Sequence, residues 1–325
     1  RRARMKMARA SASLSKSAAG VGVRGLARPL GGQARAGRAR APMCRATADG
    51  KVPILVNSTA GKMGFATAES VVYAGLDLVP VSFASVAQKE RVDVEGTPVE
   101  VFPVQERDAV IKDVLQQYPD LIVIDFTLPD AVNSNADFYI ANKIPFVMGT
   151  TGGDRAKLLK DVEEAGLYSV IAANMGKQIV ALQAMLQYAA REFPGAFAGY
   201  KLDVVESHQS TKVDTSGTAK DIVTSFNKLG MPCEEDDIRK VREPAQQMQE
   251  MNVPEEYLNG HAFHTYTLTS DDGSVNFQFQ HNVCGRRFYA EGSVDAALFL
   301  HKQMADKSQR KLFDMVDVLN AGAMR

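Results

Sequence analysis

Cysteine is scarce, with three residues in 325. Cys44, Cys233 and Cys284 are too few and too scattered for a disulfide framework or a zinc site, and a reducing compartment fits that usage. No histidine pairing can be read beside Cys284, which marks it as a small core residue rather than a nucleophile. Histidine is equally sparse, at five positions: His208, His261, His264, His281 and His301. No His/Asp/Glu group has metal-ligand spacing, so no metal is expected. There are no internal repeats. The first 48 residues contain no apolar run long enough for a signal peptide or a membrane span, and membrane association is not expected.

Those 48 residues also lack acid. They hold twelve Lys/Arg and no Asp or Glu. Arg-rich, Ser-rich and acid-free is the composition of an organelle transit peptide, expected to be disordered or removed. Cys44-Arg45-Ala46 resembles the processing sites of chloroplast leaders; a mitochondrial leader is the runner-up. A basic nucleic-acid tail is the third reading, but the arginines are spaced among Ala and Gly rather than clustered. The remainder carries 26 basic against 38 acidic residues, a net charge of about −12, which disfavours phosphate-backbone binding and any nucleic-acid partner. The length leaves room for two domains.

From Val52 onward the pattern is strand, glycine turn, helix, strand. Val52 to Val56 is a short buried strand. Asn57-Ser-Thr-Ala-Gly-Lys-Met-Gly64 is the turn, Phe65 to Tyr73 a helix, and Leu78 to Phe83 a second strand. This is the opening unit of a dinucleotide fold, in which Gly61 and Gly64 let the backbone approach a pyrophosphate at the helix N-terminus. Ser58 stands where the first glycine of the fingerprint usually is. The second strand ends in Ser82-Phe-Ala-Ser85, without the acid that holds the ribose of NAD. This tilts the choice to NADPH, with NADH possible, and Ser82 and Ser85 are candidate donors to the 2′-phosphate. Residues 88 to 104 suggest a hairpin or loop. Later strands end in Asp125-Phe126-Thr127, Gly149-Thr150-Thr151-Gly152 and Ala173-Asn174-Met175. Ligands bind beyond the carboxyl ends of such strands. Four glycine- or hydroxyl-rich ends at one edge point to a cofactor.

A long helix, Gln178 to Glu192, runs to Pro194-Gly195. After the strand Tyr200 to Val205 comes Glu206-Ser-His-Gln-Ser-Thr-Lys-Val-Asp-Thr-Ser-Gly-Thr-Ala-Lys220, and then a helix from Ala219. A helix start binds anions through its unpaired N–H groups. Lys212 adds a full charge, and both His208 and Lys212 can move a proton. The stretch suits a carboxylate substrate that must be protonated; the alternative is a polar loop with a capped helix. Residues 230 to 260 read as an acidic excursion, an oligomer contact or lid. His261 to Thr269 and Ser274 to His281 form a β-hairpin, and the alternation in Asn276-Phe-Gln-Phe-Gln280 puts one face on a core. His261 and His264 are expected to make surface or pairing contacts, His301 to be solvated, and His281 to be structural. A helix from Gly292 to Met304 closes the second domain, and Leu312 to Leu319 forms a terminal helix.

Glu206-Ser-His208, Lys212-Val-Asp214 and Ser216-Gly-Thr-Ala219 closely resemble the active-site motif of dihydrodipicolinate reductases. Gly61-Lys-Met-Gly64, Asp125-Phe-Thr127 with Pro129, Gly149-Thr-Thr-Gly152, Ala173-Asn174 and Phe313 to Leu319 resemble further motifs of that family. The departures are Gln209 in place of a second histidine, a loop one residue shorter before Ser216, Ser58 for a glycine, and Gly176-Lys177 for Ser-Val. They resemble the plant and algal branch. The resemblance implies an α/β fold: an N-terminal Rossmann-type doubly wound parallel sheet plus a C-terminal α+β domain with an open mixed sheet. The expected division is a leader over 1–48, a dinucleotide-binding domain over 49–177 completed by 305–325, and a substrate and oligomerisation domain over 178–304. It implies His208 as proton donor/acceptor and Lys212 as proton donor. Ser216, Gly217 and Thr218 would hold a carboxylate beside Gln209, and Thr151 would touch substrate and nicotinamide. Ser58, Thr59, Ala60, Gly61, Lys62 and Met63, Ser82, Phe126 and Thr127, Gly149, Thr150 and Thr151, and Ala172, Ala173, Asn174 and Met175 would bind the cofactor. The implied activity is NAD(P)H-dependent reduction of a cyclic dicarboxylate for lysine synthesis, by a chloroplast homo-oligomer. The rival readings are another two-domain NAD(P) oxidoreductase, which would show a catalytic cysteine or a lysine elsewhere, and a non-catalytic NADPH-binding regulator.

Overall fold

The computed structural model describes residues 51–150 and 152–322. The expected leader and the site residue Thr151 lie outside them. The first strand, β1 (Pro53–Val56), is apolar on both faces and buried from Ile54 onward, as a strand covered on both sides must be. The glycine turn leads into α1 (Lys62–Tyr73). The next run, expected as one strand, is two. β2 (Asp77–Leu78) pairs in parallel with β1, whereas β3 (Val81–Ala84) belongs to a different sheet. Pro80 stands between them; without an N–H it cannot donate to a ladder, and the chain changes sheet there. β4 (Glu90–Val94) and β5 (Thr97–Pro103) form the expected hairpin, and β3 joins β5 to complete a three-stranded sheet.

Helices and strands then alternate: α2 (Arg107–Gln117), β6 (Ile122–Asp125), α3 (Val132–Asn142), β7 (Phe146–Met148), α4 (Arg155–Ala165) and β8 (Ser169–Ile171). The second half runs α5 (Lys177–Glu192), β9 (Tyr200–His208), α6 (Gly217–Lys228), β10 (Arg239–Val241), α7 (Pro244–Glu250), β11 (His261–Ser270) and β12 (Asn276–Cys284). The chain ends through α8 (Arg287–Ala305), β13 (Leu312–Phe313) and α9 (Met315–Asn320).

The main sheet is parallel, in the order β13-β8-β7-β6-β1-β2. One buried cluster covers each of its faces. α8 is not the closing helix of the second half: its Val294, Ala296, Ala297, Phe299 and Leu300 pack with Ile54, Val56, Ile122 and Ile124 of the parallel sheet. A Cβ at Gly292 would sit 1.8 Å from the Met175 carbonyl oxygen, so this helix can meet the crossover into α5 only through a glycine.

The second sheet is mixed, in the order β10-β9-β11-β12, with β10 parallel to β9 and the other pairs antiparallel. α6 lays Ile222, Val223 and Phe226 on Leu202, Val204, Tyr266 and Leu268. The alternation in β12 is only half used. Phe279 reaches the core, but Phe277 stays 42 % exposed, and Asn276, Gln278 and Gln280 line an open face. β12 is an edge strand, and Phe277 is only partly covered, by Phe197 at 5.7 Å and Tyr200 at 6.1 Å between ring centroids.

Candidate active site

Strand order reverses between β1 and β6, the place where an open parallel sheet forms its ligand crevice. Ser58 adopts φ 59°, the left-handed conformation that the missing glycine would have supplied without strain. Gly64 closes the same turn, since a Cβ there would lie 2.1 Å from the Ser58 carbonyl oxygen. α1 starts at Gly61 with no side-chain cap and no acid in its first turn. An uncapped, acid-free helix start fits the pyrophosphate of a dinucleotide.

A buried network fixes the neighbouring strand ends. The Asp125 carboxylate accepts from Tyr139 Oη at 2.5 Å, Asn135 Nδ2 at 3.0 Å, and Thr127 N and Oγ1 at 2.8 and 2.7 Å. Asn57 donates to Tyr139 Oη, and Thr150 Oγ1 donates to the Thr127 carbonyl at 2.7 Å. Burial, then the Asp125 charge and hydrogen bond, raise the Tyr139 phenol well above its ordinary value, so it stays a donor.

A cleft of about 880 Å³ opens beyond this edge. Of the cofactor residues expected from sequence, Met63, Phe126, Gly149, Ala172, Ala173, Asn174 and Met175 line it. Ala60 and Lys62 are exposed on the glycine turn. Ser82 is placed differently from expectation. It is fully buried, and its hydroxyl accepts the Thr59 N–H at 3.1 Å. That hydroxyl stabilises the turn from beneath instead of facing a 2′-phosphate, while Ser85 is exposed. The Thr59 hydroxyl also turns inward, donating to the Val56 carbonyl at 2.8 Å.

Lys212, Ser216, Gly217 and Thr218 line the opposite wall of the same cleft. Ser216 is the N-cap of α6, which again has no side-chain cap and no acid in its first turn. The walls are tied together where Asn174 Nδ2 donates to Thr218 Oγ1 at 3.1 Å, with Asn174 Oδ1 accepting the Gly176 N–H at 2.7 Å. Lys212 Nζ meets both oxygens of the exposed Asp214 carboxylate at 2.8 Å, and this hydrogen bond lowers the Asp214 pKa. Gln183, Gln187, Arg155 and Asp221 are among the further lining residues. Sequence reasoning missed them because a polar side chain on a helix carries no signal of the wall that it faces.

His208 and Gln209 do not line the cleft. His208 lies behind it, 8 % exposed, with Nε2 3.3 Å from Nε2 of His264. Burial, with the positive charges of Arg242 and Lys212, pushes its pKa down to about 3, so its imidazole is neutral at pH 7. Of the surface or pairing contacts expected of His261 and His264, the structure shows the pairing ones, because both are buried. Antiparallel register places His264 opposite Glu206, and Ser207 Oγ lies 2.8 Å from His261 Nε2. His281 stacks on His264 at 4.5 Å. Glu206, His208 and His264 each bring one ligand-capable atom within 4.8 Å of the others, a grouping hidden in the linear spacing. The Arg242 guanidinium, 2.5 Å from Glu206 Oε1, opposes a cation there.

A glycine-turn sheet edge facing a basic, hydroxyl-lined loop across one cleft defines a dinucleotide-dependent oxidoreductase of small anionic substrates. Residues 52–175 match the family model described as "Dihydrodipicolinate reductase, N-terminus", and residues 178–319 match "Dihydrodipicolinate reductase, C-terminus". A relative from Oryza sativa subsp. japonica, "Probable 4-hydroxy-tetrahydrodipicolinate reductase 1, chloroplastic", is 53 % identical over 84 % of this chain and 80 % of its own. An Arabidopsis thaliana relative, "4-hydroxy-tetrahydrodipicolinate reductase 2, chloroplastic", is 50 % identical over 84 % of this chain and 79 % of its own. A solved dipicolinate-bound dihydrodipicolinate reductase from Paenisporosarcina sp. TG-14 shares the fold at TM-score 0.54 and 18 % identity, over 81 % of this chain and 97 % of that one. The chain belongs to the dihydrodipicolinate reductase family. Reductase chemistry with a nicotinamide cofactor, in the diaminopimelate route to lysine, comes with that membership.

Proposed function

We propose that this chain uses NADPH to reduce 4-hydroxy-tetrahydrodipicolinate, through its conjugated dihydrodipicolinate form, to tetrahydrodipicolinate. The observation that carries the reading is the single cleft in which Met63, Phe126 and Asn174 face Lys212, Ser216 and Thr218. The bound dinucleotide supplies the hydride. The chain positions it through residues 58–63, 126–127, 149–150 and 172–175. The open start of α6, through Ser216 and the Gly217 and Thr218 amides, offsets one carboxylate. Lys212, which lines the cleft, exchanges its Asp214 partner for the substrate and gives the proton, while the neutral His208 imidazole lies behind the cleft. His208 and Gln209 then support the loop from behind.

The exposed Ser85, with no acid at the end of β3, favours NADPH over NADH. The chloroplast stroma is the proposed compartment, reached by residues 1–48. The proposed domain division is the one expected from sequence, with α8, which packs on the parallel sheet, counted with the dinucleotide-binding part. The open Thr, Asn and Gln face of β11 and β12 is the proposed contact of a homo-oligomer.

The test is NADPH oxidation coupled to a dihydrodipicolinate synthase that generates substrate in situ. Steady oxidation, inhibited by dipicolinate, is expected. NADPH binding without oxidation would favour a non-catalytic regulator.

A further inference from the structure

The segment that carries Lys212 has little structure of its own. Between the end of β9 at His208 and the start of α6 at Gly217, the loop holds one backbone turn bond, from Lys212 N to the Gln209 carbonyl at 2.9 Å, and the exposed Lys212–Asp214 ion pair. The order comes from another part of the chain. Resting on the reading of Lys212 and residues 216–218 as the dicarboxylate-binding group, we propose that Arg242 is a positioning residue that sets this loop in register.

The geometry is a fork reaching three points of the motif. Arg242 Nε donates to the Lys212 carbonyl at 2.7 Å. Its Nη2 donates to Glu206 Oε1 at 2.5 Å and to the Asp214 carbonyl at 3.3 Å, and Nη1 to the Glu206 carbonyl at 3.4 Å. The other oxygen of Glu206 accepts the Ser216 N–H at 3.0 Å, which extends the clamp to the N-cap of α6. One guanidinium thereby fixes the strand end, the lysine backbone and the start of the anion-binding helix together. Gln247 of α7 adds a bond from Nε2 to the His208 carbonyl at 2.6 Å. The stretch after β10, expected as a lid or oligomer contact, is the back wall of the motif. Parallel register brings it there, with Val241 opposite Ser207.

The charge matters as much as the shape. Glu206 has no exposure to solvent, and a bare carboxylate beneath the loop would compete for Lys212. With Arg242 on Glu206, Lys212 pairs instead with exposed Asp214, a partner that an incoming carboxylate can displace. A lysine at position 242 would keep the charge but present its donors from one point, so it could not span these acceptors.

The test is Arg242→Lys in the full chain, read by NADPH affinity, dipicolinate affinity, and kcat and KM in the coupled assay. NADPH affinity should stay within about 2-fold, while KM for the dicarboxylate rises about 10-fold and kcat falls about 10²-fold, the scale of a displaced catalytic group. Native kcat and KM, or a lower Tm alone, would overturn the proposal. If the single variant does not fold, Glu206→Gln/Arg242→Met removes both charges of the pair. A folded double variant with native NADPH affinity and at least about 10-fold weaker dipicolinate binding supports the clamp, and native dipicolinate binding refutes it. Lys212→Ala separates the two levels. If it loses dipicolinate affinity while both Arg242 variants keep it, the clamp alone is wrong. If Lys212→Ala keeps full affinity, the reading of the loop falls, and the clamp with it.

Discussion

The two walls of the cleft are built by different means. The wall proposed for the cofactor is backbone: a left-handed Ser58, an uncapped α1, and strand ends tied by neutral donors around one buried carboxylate. The wall proposed for the substrate is charge held by charge: Lys212 on a loop that Arg242, just after β10, and Glu206 of β9 hold. Local glycine geometry shapes the turn of the first, and longer-range hydrogen bonds such as Asn57 to Tyr139 tie its strand ends. The second needs residues 30 or more positions apart, and it places a charged pair where no solvent reaches Glu206. A backbone site should therefore fail through shape, and a charged site through electrostatics and pH.

The largest effect that would sharpen this contrast is expected at Lys212. Lys212→Ala removes the positioned acid and should lower kcat by about 10²- to 10⁴-fold with NADPH affinity unchanged. Next comes Gly64→Ala. Its Cβ meets the Ser58 carbonyl, which forces the turn open and costs about 1–3 kcal/mol in packing. NADPH binding should weaken at least about 10-fold, the ratio that 1.4 kcal/mol represents. Native NADPH affinity in that variant would remove the backbone account of the cofactor wall.

The pH response comes third. Burial lowers the pKa of His208 to about 3, of His281 to about 4, and of His264 well below its ordinary value. Below about pH 6.5 the unfolded chain takes up protons that these folded imidazoles refuse, so stability declines as pH falls from there toward about 4. Tm should drop between pH 7 and pH 5. His281→Phe should make that drop shallower, by about 1–2 kcal/mol at pH 5. An equal slope in wild type and variant would contradict the burial of these imidazoles. The smallest effect is Ser58→Gly, which relieves left-handed strain of about 1–2 kcal/mol but adds backbone entropy of about 0.5–1 kcal/mol to the unfolded chain. Tm should rise by no more than a few degrees, and a fall would contradict the strain.

The same contrast decides what could be read from the sequence. Apolar runs and glycine turns are local, so the alternation of strands and helices through β8 was legible, and so was the hairpin over residues 88 to 104. The exception, Leu78 to Phe83, broke at Pro80 because a missing N–H outweighs apolar continuity. That Lys212 and Ser216 to Thr218 share one surface was legible because they lie within one loop, and all of them line the cleft. His264 and Arg242 were not legible. Their roles depend on strand register, which sets His264 against Glu206 and carries Arg242 past Ser207, and no spacing in the chain encodes that pairing. The membership of α8 in the first core was hidden for the same reason.

The reductase account is tested most directly by measuring NADPH affinity and single-turnover oxidation side by side in Lys212→Ala and Gly64→Ala. The account predicts that Lys212→Ala binds NADPH as wild type does and turns over at least about 100-fold more slowly. It predicts that Gly64→Ala binds NADPH weakly and turns over at a near-native rate once saturated. Native turnover in Lys212→Ala would contradict it.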